Sequence, residues 1–388
     1  MQLGRACVFL LALVTLFLPR LARAENVTAR ASTEIAGYTD SVGVSVFTPS
    51  VGVNVEDPTA GWGVSGRYLL DVVSAASPDI VATASPRWHE TRHAGNVGVR
   101  YKPGTFGVAV GGAISSTPDY LALSVNGQLT EELDGKNLTL VQGYSFGRDT
   151  IGRTGTPFSV FSNDLTTHGL TFGLSRVVNP ALVLGLYGDA ILERGDQSKP
   201  YRYVPMFSPE TQPAIPRGVT AYSVADLRIV ARPLEQLPTQ RNRFAVTGRM
   251  GWRTERTTLR LDQRLYADDW NLHATTTDLR WFVDVAERIT VWPHLRVHVQ
   301  DGVSFWQRAY AARDAGDLPR LRTGDRELGP LANFGTGGGV RLALGKAGQT
   351  QDVVLSVTAD GTFTSFTDDL YVKTRFSGLG ATTLEVVF

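Results

Sequence analysis

The sequence predicts an all-β fold, a single transmembrane antiparallel β-barrel of about 16 strands, with short periplasmic turns and long extracellular loops. Three observations predict it. Apolar and polar residues alternate in runs of about ten, broken by clusters of Gly, Pro, Asn or Asp. After the N-terminal segment, no stretch reaches the 18 consecutive apolar residues of a spanning helix. The connections between runs also sort by length to two sides.

Residues 1–24 read as a cleaved secretory signal peptide. Arg5 supplies the positive start, Cys7 to Leu18 the apolar stretch, Pro19 its end, and Ala22-Arg23-Ala24 the small-x-small pattern before Glu25. That stretch is shorter than the ~20 residues a membrane-spanning helix needs. Cys7 lies inside it, away from the cleavage point, which argues against a lipoprotein anchor. Cleavage removes Arg5, Arg20 and Arg23, taking the formal charge from +1 to −2, and also the single Cys. Residues 25–388, the barrel domain, then hold no disulfide or thiolate, so burial and backbone pairing must carry the stability. The whole chain has 38 Lys+Arg against 37 Asp+Glu, without the basic excess or stripe of a nucleic-acid binder.

Seventeen runs have strand character: 27–38, 42–56, 62–74, 87–101, 105–117, 119–131, 138–149, 165–176, 181–193, 219–231, 243–254, 257–267, 271–284, 289–305, 331–345, 352–365 and 371–388. In 105–117, for example, Phe106, Val108, Val110, Gly112 and Ile114 alternate with Gly107, Ala109, Gly111 and Ala113. Single-chain bacterial barrels have even strand numbers, so one run is surplus. Omitting 219–231 makes 194–242 one long external loop. The short connections 56–61, 102–104, 133–137, 179–181, 254–256, 286–288 and 345–351 then fall on one side. The long segments 75–86, 150–164, 194–242 and 306–330 fall on the other. The stretch from Pro200 to Pro216 suits a semi-ordered cap.

Only helices or closed sheets pair every backbone group in hydrocarbon, and closure also removes the aggregating edges of a long sheet. A mean hydropathy of −0.06 fits a polar lumen inside an apolar belt. At the C-terminus Leu384, Val386 and Phe388 share one face of an aromatic-terminated last strand. Such an ending resembles the signal read by the outer-membrane assembly machinery. The expected partners are therefore outer-membrane lipid, that machinery and a small solute, with no nucleic acid and no cofactor.

Several stretches resemble a known family. They are Leu70-Asp71-Val72-Val73-Ser74-Ala75-Ala76-Ser77-Pro78, Ala84-Ser85-Pro86-Arg87-Trp88, Arg92-His93, Tyr101-Lys102-Pro103-Gly104, Thr257-Thr258-Leu259-Arg260-Leu261 and Arg264-Leu265-Tyr266-Ala267-Asp268-Asp269-Trp270. Together they are similar to the uncharacterised bacterial family catalogued as domain of unknown function 3570. The resemblance implies an outer-membrane location and carries no activity, substrate or catalytic residue.

Apparent catalytic motifs have a plainer reading. His89-Glu90-Thr91-Arg92-His93 matches the zinc-protease pattern H-E-x-x-H, which works because i and i+4 stack on one helix face. Here Val97, Val99 and Tyr101 continue a strand, on which i and i+4 lie about 13 Å apart. His294 and His298 alternate with Leu295 and Val297 in the same way. Gly335-Thr336-Gly337-Gly338-Gly339 lacks the G-K-[ST] and helix of a phosphate loop, so strand glycines for close approach explain it better. No G-x-S-x-G elbow marks a hydrolase nucleophile. The expectation is no catalytic site and no metal site. Trp88, Trp252, Trp270, Trp281, Trp292 and Trp306 lie near strand ends, where aromatic girdles place them.

The lumenal phase carries the functional signal. Between 243 and 300 it holds Arg249, Arg253, Arg260, Asp262, Arg264, Asp278, Arg280, His294, Arg296, His298 and Gln300, six Arg against two Asp. Between 105 and 149 it is mainly Gly, Ala, Ser and Thr. A neutral wall facing an Arg-rich wall predicts a porin-like channel or transporter for small solutes with a leaning to anions, gated by 194–242. The alternative for the same residues is an Arg–Asp ladder that fills the lumen of a structural surface barrel. A hydrolase with its site at the rim, or a lipid transporter with an apolar pocket and lateral opening, would need features that spacing alone does not show.

Overall fold

The computed structural model describes residues 26–75, 88–346 and 352–388. The signal-peptide reading of 1–24, most of the segments 75–86 and 345–351, and the side chain of Trp88 lie outside the described residues. Sixteen long strands form one closed ring. They are β1 (Thr28–Asp40), β2 (Val44–Asp57), β3 (Trp62–Ala75), β4 (Trp88–Tyr101), β5 (Phe106–Thr117), β6 (Tyr120–Leu133), β7 (Leu138–Ile151) and β8 (Asn163–Asn179). The second half is β9 (Leu182–Gly195), β10 (Gln240–Arg253), β11 (Thr257–Asp268), β12 (His273–Ala286), β13 (Ile289–Gln300), β14 (Leu331–Lys346), β15 (Asp352–Phe366) and β16 (Thr374–Val387). Each pairs antiparallel with its neighbours in sequence, and β1 closes on β16.

The surplus run 219–231 is not a strand. It holds α1 (Ala221–Leu227), whose N-cap Thr220 accepts from the Ser223 amide at 3.2 Å. Two other runs end differently from their alternation. The pattern of 289–305 continues through Val303 and Phe305, but β13 stops at Gln300 because those side chains pack with Trp270 and Leu272. The run 371–388 begins as a strand only at Thr374, since Val372 is buried against Leu331 and Phe366.

Register shows which face is which. Val110, Gly127, Tyr144, Leu170, Ala190 and Phe244 are successive cross-strand partners on β5 to β10, and they form an outward row. Large aliphatic side chains on this face are bare, Val97 being 67% exposed, which only a hydrocarbon surround makes favourable. The opposite phase carries most of the charges. Trp252 and Trp281 occupy one outward row through Leu259, as a girdle requires. Trp270, Trp292 and Trp306 correct that reading. Trp270 is buried in a loop core, Trp292 stacks inward near Phe282 with ring centres 5.4 Å apart, and the Trp306 indole donates to the Asp368 carbonyl at 3.1 Å.

Both ends of the described barrel lie on one side, where every described connection is short, whereas the other side mixes short turns with the long connections 152–162, 196–239 and 301–330; by the usual rule for such barrels the first side is periplasmic. On the other side the connections 196–239 and 301–330 fold together, Met206–Phe207 pairing in parallel with Tyr310–Ala311. Most fully buried apolar side chains belong to this cap, among them Val204, Met206, Phe207 and Tyr310. The molecule thus has a soluble-type core at one mouth and an inverted barrel beneath it.

The facing assignment predicts an asymmetric cost for one charge. Val97→Arg, outward at mid-strand, is expected to destabilise the barrel in lipid vesicles by about 2–4 kcal/mol, while Ser124→Arg, inward on the neutral wall, stays within about 1 kcal/mol. Reversible urea unfolding in vesicles measures both, and equal losses would refute the assignment.

Candidate functional site

All eleven residues singled out between 243 and 300, Gln300 included, lie on the inner face of four consecutive strands, β10 to β13. Arg249, Asp262, Asp278 and Arg296 are successive partners in one row across them. The next row runs Gly251, Arg260, Arg280, His294, Gly337 and Asp360. Above the first row lie Arg264 and His298, joined through Thr276. Arg253 stands at the periplasmic end of β10.

These side chains are paired more fully than the local count of six Arg to two Asp predicts. Arg249 reaches Asp262 at 3.5 Å, Arg280 reaches Asp278 at 3.4 Å, and Arg296 reaches the same carboxylate at 3.3 Å. Three further acids come from outside the predicted set. Asp189 on β9 meets Arg264 at 3.0 Å, Asp284 meets Arg253 at 3.8 Å, and Asp360 on β15 meets His294 at 2.6 Å. Arg260 and Arg280 face each other directly, a like-charge pairing that would be unfavourable alone. It is relieved because Arg260 lies over the Phe282 ring at 5.0 Å while Arg280 turns to Asp278.

His294 shows how the strand glycines act. Its Nδ1 faces Asp360 and its Nε2 faces Asp278 at 3.1 Å, so the ring bridges two carboxylates. Gly337 lies between His294 and Asp360 in the register, and a Cβ there would stand 2.3 Å from Asp360 Oδ1. The glycine therefore lets two side chains meet across an intervening strand. His298 is held by Thr276 Oγ1 at 2.8 Å and Gln300 at 3.2 Å. By contrast, His89 and His93 occupy β4, with Glu90 on the opposite phase of the strand. His93 Nδ1 meets the outward Tyr68 hydroxyl at 2.7 Å, so the helical geometry of a zinc protease does not form.

A second charged arc was missed. On β1 to β4 the inward phase holds Arg30, Glu34, Glu56, Arg67, Asp71, Arg92 and Arg100. Arg67 pairs with Glu34 at 2.6 Å, Arg92 with Asp71 at 2.5 Å, and Arg100 with Glu56. The same period-two phase that identified β10 to β13 marks these strands too. Between the arcs, β5 to β8 present mainly the predicted small side chains, one inward row running Ala109, Gln128, Gly143 and Thr171.

The cap spans the external mouth. Tyr201 donates to Asp119 in the turn between β5 and β6 at 2.5 Å, while the Val219 amide donates to the Leu370 carbonyl between β15 and β16 at 2.8 Å. Those turns lie ten strands apart one way around the ring and six the other. At the cap centre Arg202 binds Asp325 at 2.8 Å and Glu235 at 3.2 Å, and Glu235 also accepts from Thr323 at 2.6 Å. Burial, the largest single influence, would raise the Asp325 carboxyl, but the Arg202 guanidinium, the Glu327 amide and Lys199 together outweigh it and hold it below the usual aspartate range. The cap also meets the inner wall, with the Gln300 side chain donating to the Gly329 carbonyl at 2.8 Å and Arg375 pairing with Glu327 at 3.0 Å.

A depressed carboxyl contributes stability that is complete above the ordinary aspartate value of about 3.9 and is lost as pH falls through its lower folded value. Amide exchange at Met206 and Ala312, corrected for intrinsic rates, is therefore expected to quicken below about pH 3.9 while barrel amides stay protected. Glu235→Ala, which orphans Thr323 and one contact of Arg202, is expected to cost the cap about 1–3 kcal/mol at neutral pH. Unchanged cap exchange in both experiments would sink this account of what holds it.

No sequence match was found among curated proteins. Among solved structures, CdiB from Acinetobacter baumannii is similar at 8% identity and TM-score 0.48, covering 94% of this chain and 60% of that one. The chain thus spans about three fifths of that protein. OprD of Pseudomonas aeruginosa is similar at 8% identity and TM-score 0.42, covering 94% of this chain and 96% of that one. A Pseudomonas aeruginosa FadL homologue is similar at 8% identity and TM-score 0.42, over 95% and 91%. At such identity and TM-score these likenesses carry no inference about this chain. The sequence match is more specific: residues 63–355 fit the family described as protein of unknown function (DUF3570), and the chain belongs to that family.

Proposed function

We propose that this protein is an outer-membrane channel for small solutes, in which the arginine arc of β10 to β13 biases passage toward anions and the cap restricts the external mouth. The observation that supports it is the exposure of the paired arginines. Although each makes an ion pair, the side chains of Arg249, Arg253, Arg280 and Arg296 are 53%, 61%, 47% and 53% exposed. A ladder packed to fill the lumen would bury them. A guanidinium has five N–H donors, so a single contact to one carboxylate leaves others for water or an anion. Arg260 and Arg341, both inward, make no ion pair among the described residues.

Outer-membrane lipid would then surround the outward face, and the assembly machinery would read Leu384, Val386 and Phe388 on the last strand. The well-packed cap favours a second reading, a closed surface barrel that transports nothing. No catalytic role is proposed for the lumenal residues.

Planar-bilayer recording of the refolded mature chain separates the two. The expected result is a small anion-selective conductance that rises severalfold when 200–235 is replaced by a short Gly/Ser link. Combining Arg260→Ala, Arg264→Ala and Arg296→Ala is expected to shift the reversal potential toward non-selectivity. If neither the whole chain nor the cap-shortened form conducts, while both keep the heat-modifiable mobility of a folded barrel, the channel reading fails.

A further inference from the structure

The outer wall of β5 to β10 is not uniformly convex. A recess of about 810 Å³ crosses these strands. Gly127, Gly188 and Ala190 form its floor, and Leu170, Phe172 and Phe244 stand around it, all on the outward phase. The inward residues that border it form one row between two outward rows, so the recess opens toward lipid. Its surface is predominantly apolar.

Directly above it, toward the external rim, the same strands break the inside-outside rule. Arg148, Thr166, Arg194 and Gln240 are successive partners on β7 to β10, all facing outward. Among the described strand residues every other arginine faces inward except Arg176, which lies at the periplasmic end of β8 and pairs with Asp134 at 2.9 Å. Arg194 is exposed and makes no ion pair among the described residues; its guanidinium donates to the Glu193 carbonyl at 2.6 Å. Arg148 holds Asp164 at 3.2 Å in a pair more than half exposed on both sides. Four residues separate Arg148 from Tyr144 and Arg194 from Ala190, about 13 Å of strand, so cations and recess are stacked along one axis.

We propose that this face binds a phosphorylated, acylated glycolipid of the external leaflet, with its phosphate between Arg148 and Arg194 and an acyl chain in the recess. Charge complementarity selects this occupant. Cations on a lipid-facing wall at headgroup height meet anionic phosphate there, and Arg forms the bidentate contacts that phosphate favours. Asp164 lies beside the site and limits it to a ligand able to displace it from Arg148. Thr166, between the two arginines in the row, supplies a neutral hydroxyl. The site lies outside the lumen and does not depend on whether the barrel conducts.

Native mass spectrometry of the full mature chain in detergent, titrated with purified lipid A, its dephosphorylated form and inorganic phosphate, tests this. Wild type is expected to bind lipid A at least tenfold more tightly than the dephosphorylated form, with no retention of inorganic phosphate. The double variant Arg148→Ala, Arg194→Ala is expected to lose at least tenfold for lipid A. Gly188→Leu, whose Cβ meets nothing within 4 Å, fills the recess without strain in the wall and is expected to weaken lipid A while the barrel stays folded. Equal binding by the double variant, equal binding of the dephosphorylated lipid, or a dimer that Gly188→Leu dissociates with lipid binding unchanged would each overturn the proposal.

Discussion

Closure of the backbone ladder governs everything else in this molecule. Eleven consecutive partners join Arg30–Asp40 of β1 to Ser377–Val387 of β16, and the Phe388 amide adds a bond to the Ala29 carbonyl at 2.8 Å. Without that last pairing, two strands would present unpaired N–H and C=O groups to hydrocarbon, each a cost of several kcal/mol. With it, no edge remains, and the side chains are free to divide by phase alone. Val110 and Phe244 go out and Arg249 and Asp262 go in because the pleat offers only two directions.

Enclosing so many arginines inside a ring creates a second problem, and the register solves it locally. Carboxylates lie one or two strands from their partners, as Asp189 does from Arg264 and Asp284 from Arg253. Where an intervening side chain would block the contact, a glycine stands instead, as Gly337 does between His294 and Asp360. The pairs form while the arginine side chains keep about half of their surface exposed. The cap follows the opposite solvent logic. Its apolar residues turn inward on Phe207 and Tyr310, and its buried Glu235 is balanced by Arg202 and Thr323.

The period-two pattern made the barrel legible because it is a local property. It fixes the face of every strand residue, which is why Arg249 through His298 share one wall and why 219–231 could be set aside on strand parity. It does not fix register, so the pairing of His294 with Asp360 on a strand two places away was invisible. Nor does it distinguish a residue that faces lipid from one that faces a folded loop. Val303, Phe305 and Val372 continue the alternation of their strands, yet they bury into cap clusters assembled from distant segments. Trp270 and Trp306 were misread for the same reason. The β1 to β4 arc is different, since Glu34, Glu56, Arg67 and Asp71 obey the same phase and were available to the same reading.

The exceptions to the phase rule are then the informative residues. An outward arginine at the bilayer midplane costs about 2–4 kcal/mol, but near the interface the cost falls to about 0–1 kcal/mol. Arg176 meets that condition at the periplasmic end, where Asp134 neutralises it. Arg148 and Arg194 meet it at the external end, where, among the described residues, the exposed Asp164 is the one carboxylate paired with either. Fold stability does not require them, since Leu123 occupies the same outward row on β6. The proposed phosphate would supply the counter-charge that these two arginines lack among the described residues. An apolar recess beneath the same two strands gives that charge a reason to arrive attached to a hydrocarbon chain.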